Sequence, residues 1–242
     1  MRSTFDATGE VLLVTGGARG IGAAVSRAFA AAGGTAVVVD ILEPEEPWPG
    51  LQHVVADVSD RAALVKTVAE VRDRFGRIDG LVAGAAVQPR VDVVDTSEAV
   101  WRRAIEVNLN GVVWSCQAVL PAMLEAGRGS IVLFASGLAV VGRAQAAAYA
   151  STKGAMIPFA KSLAAEVAER HVRVNVVFPG VIDTPQFQAA NPSGAERDHW
   201  AKTTGIGVPE DVVGPLLFLL SDAATMSGSV LTRDRVFSRE ER

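Results

Sequence analysis

The chain predicts one α/β domain, a three-layer doubly wound parallel sheet, on three observations. Short apolar runs alternate with longer helical patterns, the runs are apolar on both faces, and the first leads straight into a glycine-rich turn. Residues 11–14, 36–39, 53–56, 80–83, 130–135 and 172–178 are the strand candidates. Lacking polar alternation, they read as parallel strands covered by helices on both sides. Residues 23–32, 61–75, 97–126 and 146–170 read as crossover helices. A length of 242 residues suits one domain of this class, and no repeat, low-complexity tract or linker marks a second.

Some segments break the pattern. Between the second and third strands, residues 43–50 carry three prolines, each lacking the N–H of a helix interior, so a loop is predicted there. Pro158 and Pro215 fall inside helical patterns, where each predicts a kink. Residues 185–208 are polar yet hold Phe187 and Trp200, and read as a long loop acting as a substrate lid.

Composition narrows the function. A formal net charge of -4 offers no basic footprint for nucleic acid. The single cysteine, Cys116, reads as a small buried apolar residue, and His53, His171 and His199 stand too far apart in sequence to suggest a metal set. No apolar run follows the charge in the segment from Met1 to Asp6, so no secretory leader and a cytoplasmic location are expected. The longest uncharged stretch, 107–124, contains Asn108, Asn110, Ser115 and Gln117, poor material for a membrane span.

The strongest local signal is Thr15-Gly16-Gly17-Ala18-Arg19-Gly20-Ile21-Gly22, set between a strand and a helix. Glycines let the backbone turn sharply and approach a pyrophosphate, whose charge is favoured by free N–H groups at the helix start. This is a Rossmann-like arrangement, although the spacing is Gly-x-x-x-Gly-x-Gly and not Gly-x-Gly-x-x-Gly. Asp40 ends the second strand, where a carboxylate can accept from both adenosine ribose hydroxyls and would repel a 2′-phosphate. NAD is therefore favoured over NADP. Arg19 opposes that choice, since its guanidinium can pair with a 2′-phosphate, although it can equally face the pyrophosphate or solvent.

Tyr149 is the only tyrosine, and Lys153 follows at i+4, on the same face of a predicted helix. A cation beside a phenol favours the phenolate, and a positive nicotinamide ring would add to this, so a lowered pKa is expected. Ser136 stands at the end of a predicted strand, where open α/β sheets bind ligands. Taken alone, the Tyr–Lys pair is a common surface arrangement.

Together with the segment Phe178-Pro179-Gly180-Val181-Ile182-Asp183-Thr184, these motifs resemble the classical short-chain dehydrogenase/reductase family, over about residues 11–222. The resemblance implies an NAD-dependent oxidoreductase passing a hydride between the nicotinamide and a secondary alcohol or ketone. Tyr149 would be the general acid/base, Lys153 would hold the nicotinamide ribose and Ser136 the substrate oxygen. Asn108 would support a water-linked proton relay, or else be a helix asparagine satisfied by backbone. Asp57 and Val58 would contact adenine, while Pro179, Gly180, Ile182 and Thr184 would orient the nicotinamide amide. Gly16, Arg19, Gly20, Ile21, Gly22, Asp40, Ala83 and Gly84 complete the cofactor set.

Two departures from the family stand out. Ala83-Gly84-Ala85-Ala86 replaces the usual Asn-Asn-Ala-Gly, and Thr232-Arg233-Asp234-Arg235-Val236 replaces the usual Asp-Gly-Gly. The first puts cofactor contacts and strand support in question, the second subunit packing. The substrate pocket is expected from Leu138, Ala139, Val140, Arg143, Gln145 and the lid. Arg143 reads as solvent-exposed; the alternative, a substrate carboxylate as its partner, is what the resemblance implies, as in the dihydrodiol carboxylate dehydrogenases of that family. A 3-oxoacyl-thioester reductase, a dinucleotide-binding sensor or scaffold, and an isomerase or lyase on the same fold are the other readings. The apolar surface of 97–126 and 146–170 predicts burial against another subunit, and the resemblance implies a homotetramer, or a dimer.

Overall fold

The computed structural model describes residues 4–44 and 48–234. Seven parallel strands form one sheet in the order β3-β2-β1-β4-β5-β6-β7. They are β1 (Val11–Thr15), β2 (Thr35–Asp40), β3 (Leu51–Val55), β4 (Gly80–Ala83), β5 (Gly129–Phe134), β6 (Val172–Phe178) and β7 (Val230–Thr232). Alternate side chains feed two cores, as a sheet covered on both faces requires. Leu13, Val37, Leu81, Ile131 and Val174 point into one, Leu12, Ala36, Val82, Val132 and Val177 into the other. Helices α1 (Gly20–Ala31) and α10 (Glu210–Leu220) close the second face; α2 (Arg61–Phe75), α4 (Gly111–Ala126) and α7 (Met156–Val167) close the first.

The strand order reverses between β1 and β4, so their carboxyl ends open a crevice where doubly wound sheets take ligands. β7 was not among the six strands read from sequence. It has only three residues, aligned with Val176, Val177 and Phe178 of β6.

The long crossover holds α3 (Glu98–Ile105), a π-helical turn (Glu106–Asn110) and α4 without interruption. Among the described residues, Glu98–Ala126 is the one helix long and apolar enough to cross a membrane. Its buried side, Val112, Cys116, Val119 and Met123, packs into the core, so its apolarity serves the sheet. Burial pushes the Cys116 thiol up to about 12, in keeping with an inert core residue.

Prolines act where the backbone is already interrupted, with two exceptions. Residues 146–170 divide into α6 (Ala147–Gly154) and α7, and Pro158 sits in the first turn of α7, where its N–H would have no intrahelical acceptor. Pro215 does lie inside α10, and Pro121, not flagged from sequence, lies inside α4. In the three-proline segment, Glu43, Pro44 and residues 48–50 are non-helical, while Glu45, Glu46 and Pro47 lie outside the described residues.

The expected long loop at 185–208 is instead two short helices, α8 (Pro185–Ala190) and α9 (Gly194–Thr203). Each has a side-chain cap: Thr184 Oγ1 accepts from Phe187 N at 3.2 Å, and Ser193 Oγ accepts from Glu196 N at 3.2 Å. Thr-Pro and Ser-x-x-Glu were the readable start signals.

Candidate active site

The glycine turn is shaped by close approach. Gly16 has φ +70°, and a Cβ there would lie 2.6 Å from the Ala85 Cα; a Cβ on Gly22 would lie 2.3 Å from the Gly16 carbonyl oxygen. The turn therefore closes both on the exit of β4 and on itself. Arg19 starts α1 in extended backbone and gives no side-chain cap, which leaves the first-turn N–H groups open to an anion. Gly16, Arg19, Gly20, Ile21 and Gly22 form one wall of a cavity of about 850 Å³.

Acidic side chains mark one end of this cavity. Asp40 Oδ2 accepts from Ala18 N at 3.0 Å and Oδ1 from Leu42 N at 3.1 Å, which ties the end of β2 to the glycine turn. Each oxygen keeps a second lone-pair direction for a ligand hydroxyl. Asp57 and Val58 lie nearby in the lining, with Arg103, which sequence reasoning missed, 2.9 Å from Asp57 Oδ2. Burial raises the Asp57 pKa, but hydrogen bonds from Ser59 and the Arg103 guanidinium outweigh it and hold the carboxyl below its ordinary value.

The altered segment after β4 is supported through backbone. Gly84 N donates to Thr15 O at 3.0 Å, and the side chain of Asn108 grips Val87, accepting from its N–H and donating to its carbonyl, both at 2.8 Å. Gly84 lines the cavity; Ala83 is buried in β4 and does not. Nor does Asn108, which is fully buried in the π-helical turn. Both residues expected to touch cofactor therefore stand behind the cavity wall. Asn108 Nδ2 also donates to Thr152 Oγ1 at 3.1 Å, and Thr152 Oγ1 donates to the Tyr149 carbonyl at 2.7 Å. Asn108 is thus joined to both walls of the site, a use of a π turn seen at many functional positions.

Tyr149 and Lys153 sit on α6, both buried, and line the cavity with Ser136 from just beyond β5. The Lys153 Nζ lies 5.9 Å from the Tyr149 ring centroid and donates to Phe134 O at 3.0 Å. The Tyr149 pKa is raised, contrary to the lowering expected from sequence. Burial is the dominant cause, opposed by a hydrogen bond with Ser136. Lys153 is not among the causes of that shift, and burial pulls its own pKa down to about 8.

Pro179, Gly180, Ile182 and Thr184 line the wall beyond β6, and Arg233, with its N–H on Phe178 O and its Nη1 on Pro179 O, both at 3.1 Å, joins them. On the far side, α5 (Leu138–Val141) brings Leu138 and Val141 to the cavity and Arg143 follows it there, whereas Ala139, Val140 and Gln145 do not reach it; Val140 is 75% exposed. Arg143 is not the solvent-exposed side chain expected. Its side chain is 18% exposed and bonded to Asn191 and Glu196 of the α8–α9 segment, which also contributes Phe187 and Trp200 to the lining.

These features fit a dinucleotide: a single cavity lined by an uncapped helix start that suits a pyrophosphate, by the carboxylates of Asp40 and Asp57 and by a buried phenol. Among the described residues no cluster of three or more His, Cys, Asp or Glu could hold a metal.

Comparison with known proteins agrees. The short chain dehydrogenase family profile matches residues 10–194. A 3-oxoacyl-acyl-carrier-protein reductase of Thermotoga maritima is 35% identical, over 93% of this chain and 96% of its own length. A D-threitol dehydrogenase of Mycolicibacterium smegmatis is 36% identical, over 92% of this chain and 90% of its own. A Beutenbergia cavernae structure holding NADP at low occupancy, named as a candidate NAD(P)-dependent gluconate 5-dehydrogenase, superposes with a TM-score of 0.88 at 31% identity, covering 96% of this chain and 98% of that one. With matches that run nearly end to end, the chain belongs to the short-chain dehydrogenase family, oxidoreductases that act on CH–OH groups with a nicotinamide dinucleotide.

Proposed function

We propose that this enzyme oxidises a secondary alcohol to its ketone, and runs the reverse reduction, with NAD as its preferred cofactor and Tyr149 as general acid/base. The observation that carries the reading is a buried phenol that shares with Ser136 the wall of the same cavity as the uncapped glycine turn. When bound, the dinucleotide accepts or supplies the hydride. Gly20, Ile21 and Gly22 hold its pyrophosphate by backbone, and Pro179, Gly180, Ile182 and Thr184 hold the amide end. Ser136 fixes the substrate oxygen, and Tyr149 takes the hydroxyl proton or returns one to the carbonyl. Lys153 stands beside the phenol as a cation at neutral pH, favouring phenolate, and Asn108 positions Tyr149 through Thr152. The segment carrying α8 and α9 serves as the substrate lid.

Asp40 supports NAD, since its carboxylate would repel a 2′-phosphate. Arg19, in the same wall, acts the other way. Asp40→Asn is expected to lower the ratio of kcat/KM with NAD to that with NADP by about tenfold, the worth of one charge-assisted hydrogen bond. An unchanged ratio would remove Asp40 as the discriminator.

A second reading, reduction of a 3-oxoacyl thioester, is favoured by the name of the Thermotoga relative. The two are separated by assaying reduced nicotinamide absorbance over a panel of cyclic and linear alcohols and a 3-oxoacyl thioester, with each cofactor. Turnover of the thioester alone selects the second reading. Dinucleotide binding without turnover on either panel selects a sensor or scaffold.

The proposed assembly is a homotetramer, or failing that a dimer, built on the outer faces of the long crossover helices, where Trp101 stands 41% exposed. Light scattering after size exclusion is expected to give about four times the 25.3 kDa chain mass. A monomer in dilute solution rejects this.

A further inference from the structure

At the lid end of the cavity, two arginines share one carboxylate. Arg143, six residues before Tyr149 in the chain, donates from Nη2 to Glu196 Oε1 at 2.7 Å and from Nη1 to Asn191 Oδ1 at 2.6 Å. Arg90 lies 3.4 Å from the same Glu196 oxygen, and donates to Ala190 O at 2.7 Å and Gln145 Oε1 at 3.2 Å. Its Nε is buried with no hydrogen-bond partner. The other carboxylate of this network, Asp92, is bonded to Gln145 at 3.3 Å.

The charge balance is unusual for a packed lid contact. Both arginine side chains are about four-fifths buried, at 18% and 19% exposed, yet the pair has a single shared carboxylate partner. Guanidinium groups cannot neutralise themselves by losing a proton, so the excess cation persists, and burial together with repulsion from Arg90 depresses the Arg143 pKa. A simple latch between lid and body would need one arginine and one glutamate. Of the two cations, Arg143 is the one in the cavity wall, and Trp200, 5.4 Å beneath its guanidinium, restricts it to that face.

We propose that the substrate is a hydroxy acid, with its carboxylate on Arg143 and its secondary hydroxyl at Tyr149 and Ser136. This deepens the alcohol-oxidation reading and rests on it. A second carboxylate gives the pair two anions, one for each guanidinium, with Glu196 free to remain on Arg90. In the oxidation, the carbinol C–H breaks and leaves as hydride to the dinucleotide, the O–H proton passes to Tyr149, and the C–O bond becomes C=O. The product is the oxo acid, and the carboxylate is unchanged. Glu196 and Asn191 belong to the lid, so while the acid sits on Arg143 the lid stays tied to the body by the Arg90–Glu196 pair and the Arg143–Asn191 bond.

The test uses the whole enzyme with its dinucleotide and a panel of cyclic and linear hydroxy acids, each paired with its primary amide, alongside neutral alcohols. The expected result is a kcat/KM at least about tenfold higher for one acid than for its amide, carried mainly in KM. Arg143→Gln is expected to bring the acid-to-amide ratio close to one, and Arg143→Lys to recover part of it. Should either variant fold poorly, the native enzyme still decides: a redox-inert cycloalkane or alkane carboxylate is expected to compete with the alcohol substrate, and its amide to compete at least about tenfold more weakly. Equal rates for every acid and amide, with no carboxylate competition, overturn the proposal and reduce Arg143 to a lid latch. Turnover of neutral alcohols with that pattern leaves the alcohol-oxidation reading standing. Absence of turnover on all three groups overturns both.

Discussion

Tyr149→Phe is expected to lower turnover by about 10²–10⁴-fold, the usual worth of a positioned acid/base, while dinucleotide binding stays within a few-fold of the native enzyme. Binding is spared because the glycine turn and the walls beyond β4 and β6 supply it, and the phenol contributes only its oxygen at the reacting end. Titration of the cofactor by fluorescence and turnover by absorbance separate the two effects. A variant within tenfold of native turnover would assign the proton transfer to another group. The same phenol sets the pH dependence. Burial keeps the free enzyme's Tyr149 pKa above its ordinary value of about 10, with Ser136 opposing. Alcohol oxidation needs phenolate and ketone reduction needs phenol, so kcat/KM for oxidation should rise with pH through the alkaline range and fall as pH falls. Reduction should not share that rise. A flat oxidation profile argues against phenolate as the base.

How far the sequence reaches is clear from particular residues. The six strands read from sequence are all present because each is apolar on both faces, a pattern that local inspection detects and that burial between two helix layers enforces. β7 escaped because three residues carry no period. Helices α8 and α9 escaped because their composition is polar; their caps were legible, but the polar run was given more weight. At the site, the i,i+4 spacing of Tyr149 and Lys153 on α6 was readable, since helix geometry alone fixes it. The direction of the tyrosine pKa was not, because it depends on burial, which no local spacing reports. Arg143 shows the same limit. Its partners Asn191 and Glu196 are 48 and 53 residues away, so a surface arginine was the natural local reading. Asn108 lies behind the cavity wall with its side chain bonded to Val87 and Thr152, 21 and 44 residues away, contacts that no local spacing reports.

Lys153→Met is expected to do opposite things to activity and stability. Lys153 is 3% exposed and its Nζ donates to the Phe134 carbonyl, with no carboxylate paired to it among the described residues, so its charge is poorly compensated. Its pKa of about 8 lies below the ordinary 10.5. Below pH 8 the lysine is protonated in both states, and the folded chain bears the whole cost of the buried cation, on the order of 3 kcal/mol. Between about pH 8 and 10.5 the unfolded chain binds more protons, so stability rises with pH; above 10.5 both states are neutral and the cost is gone. Methionine removes the cation but leaves the Phe134 carbonyl without this donor, which returns about 1–3 kcal/mol. The net gain at pH 7 is about 1 kcal/mol, a rise of roughly 2–4 °C in Tm. Melting curves should show the variant above the native enzyme at pH 7 and the gap narrowing by pH 9.5. Tyr149, with its raised pKa, works in the other sense only above about pH 10, where the unfolded phenol ionises first, so the window is clean. Turnover should fall by more than about a hundredfold, since a preorganised cation next to a forming phenolate is the kind of electrostatic support that mutation removes at that scale. A variant that loses both stability and activity would make Lys153 a structural residue. One that gains stability and loses activity identifies it as a group kept at the expense of the fold, for the charge it places beside Tyr149.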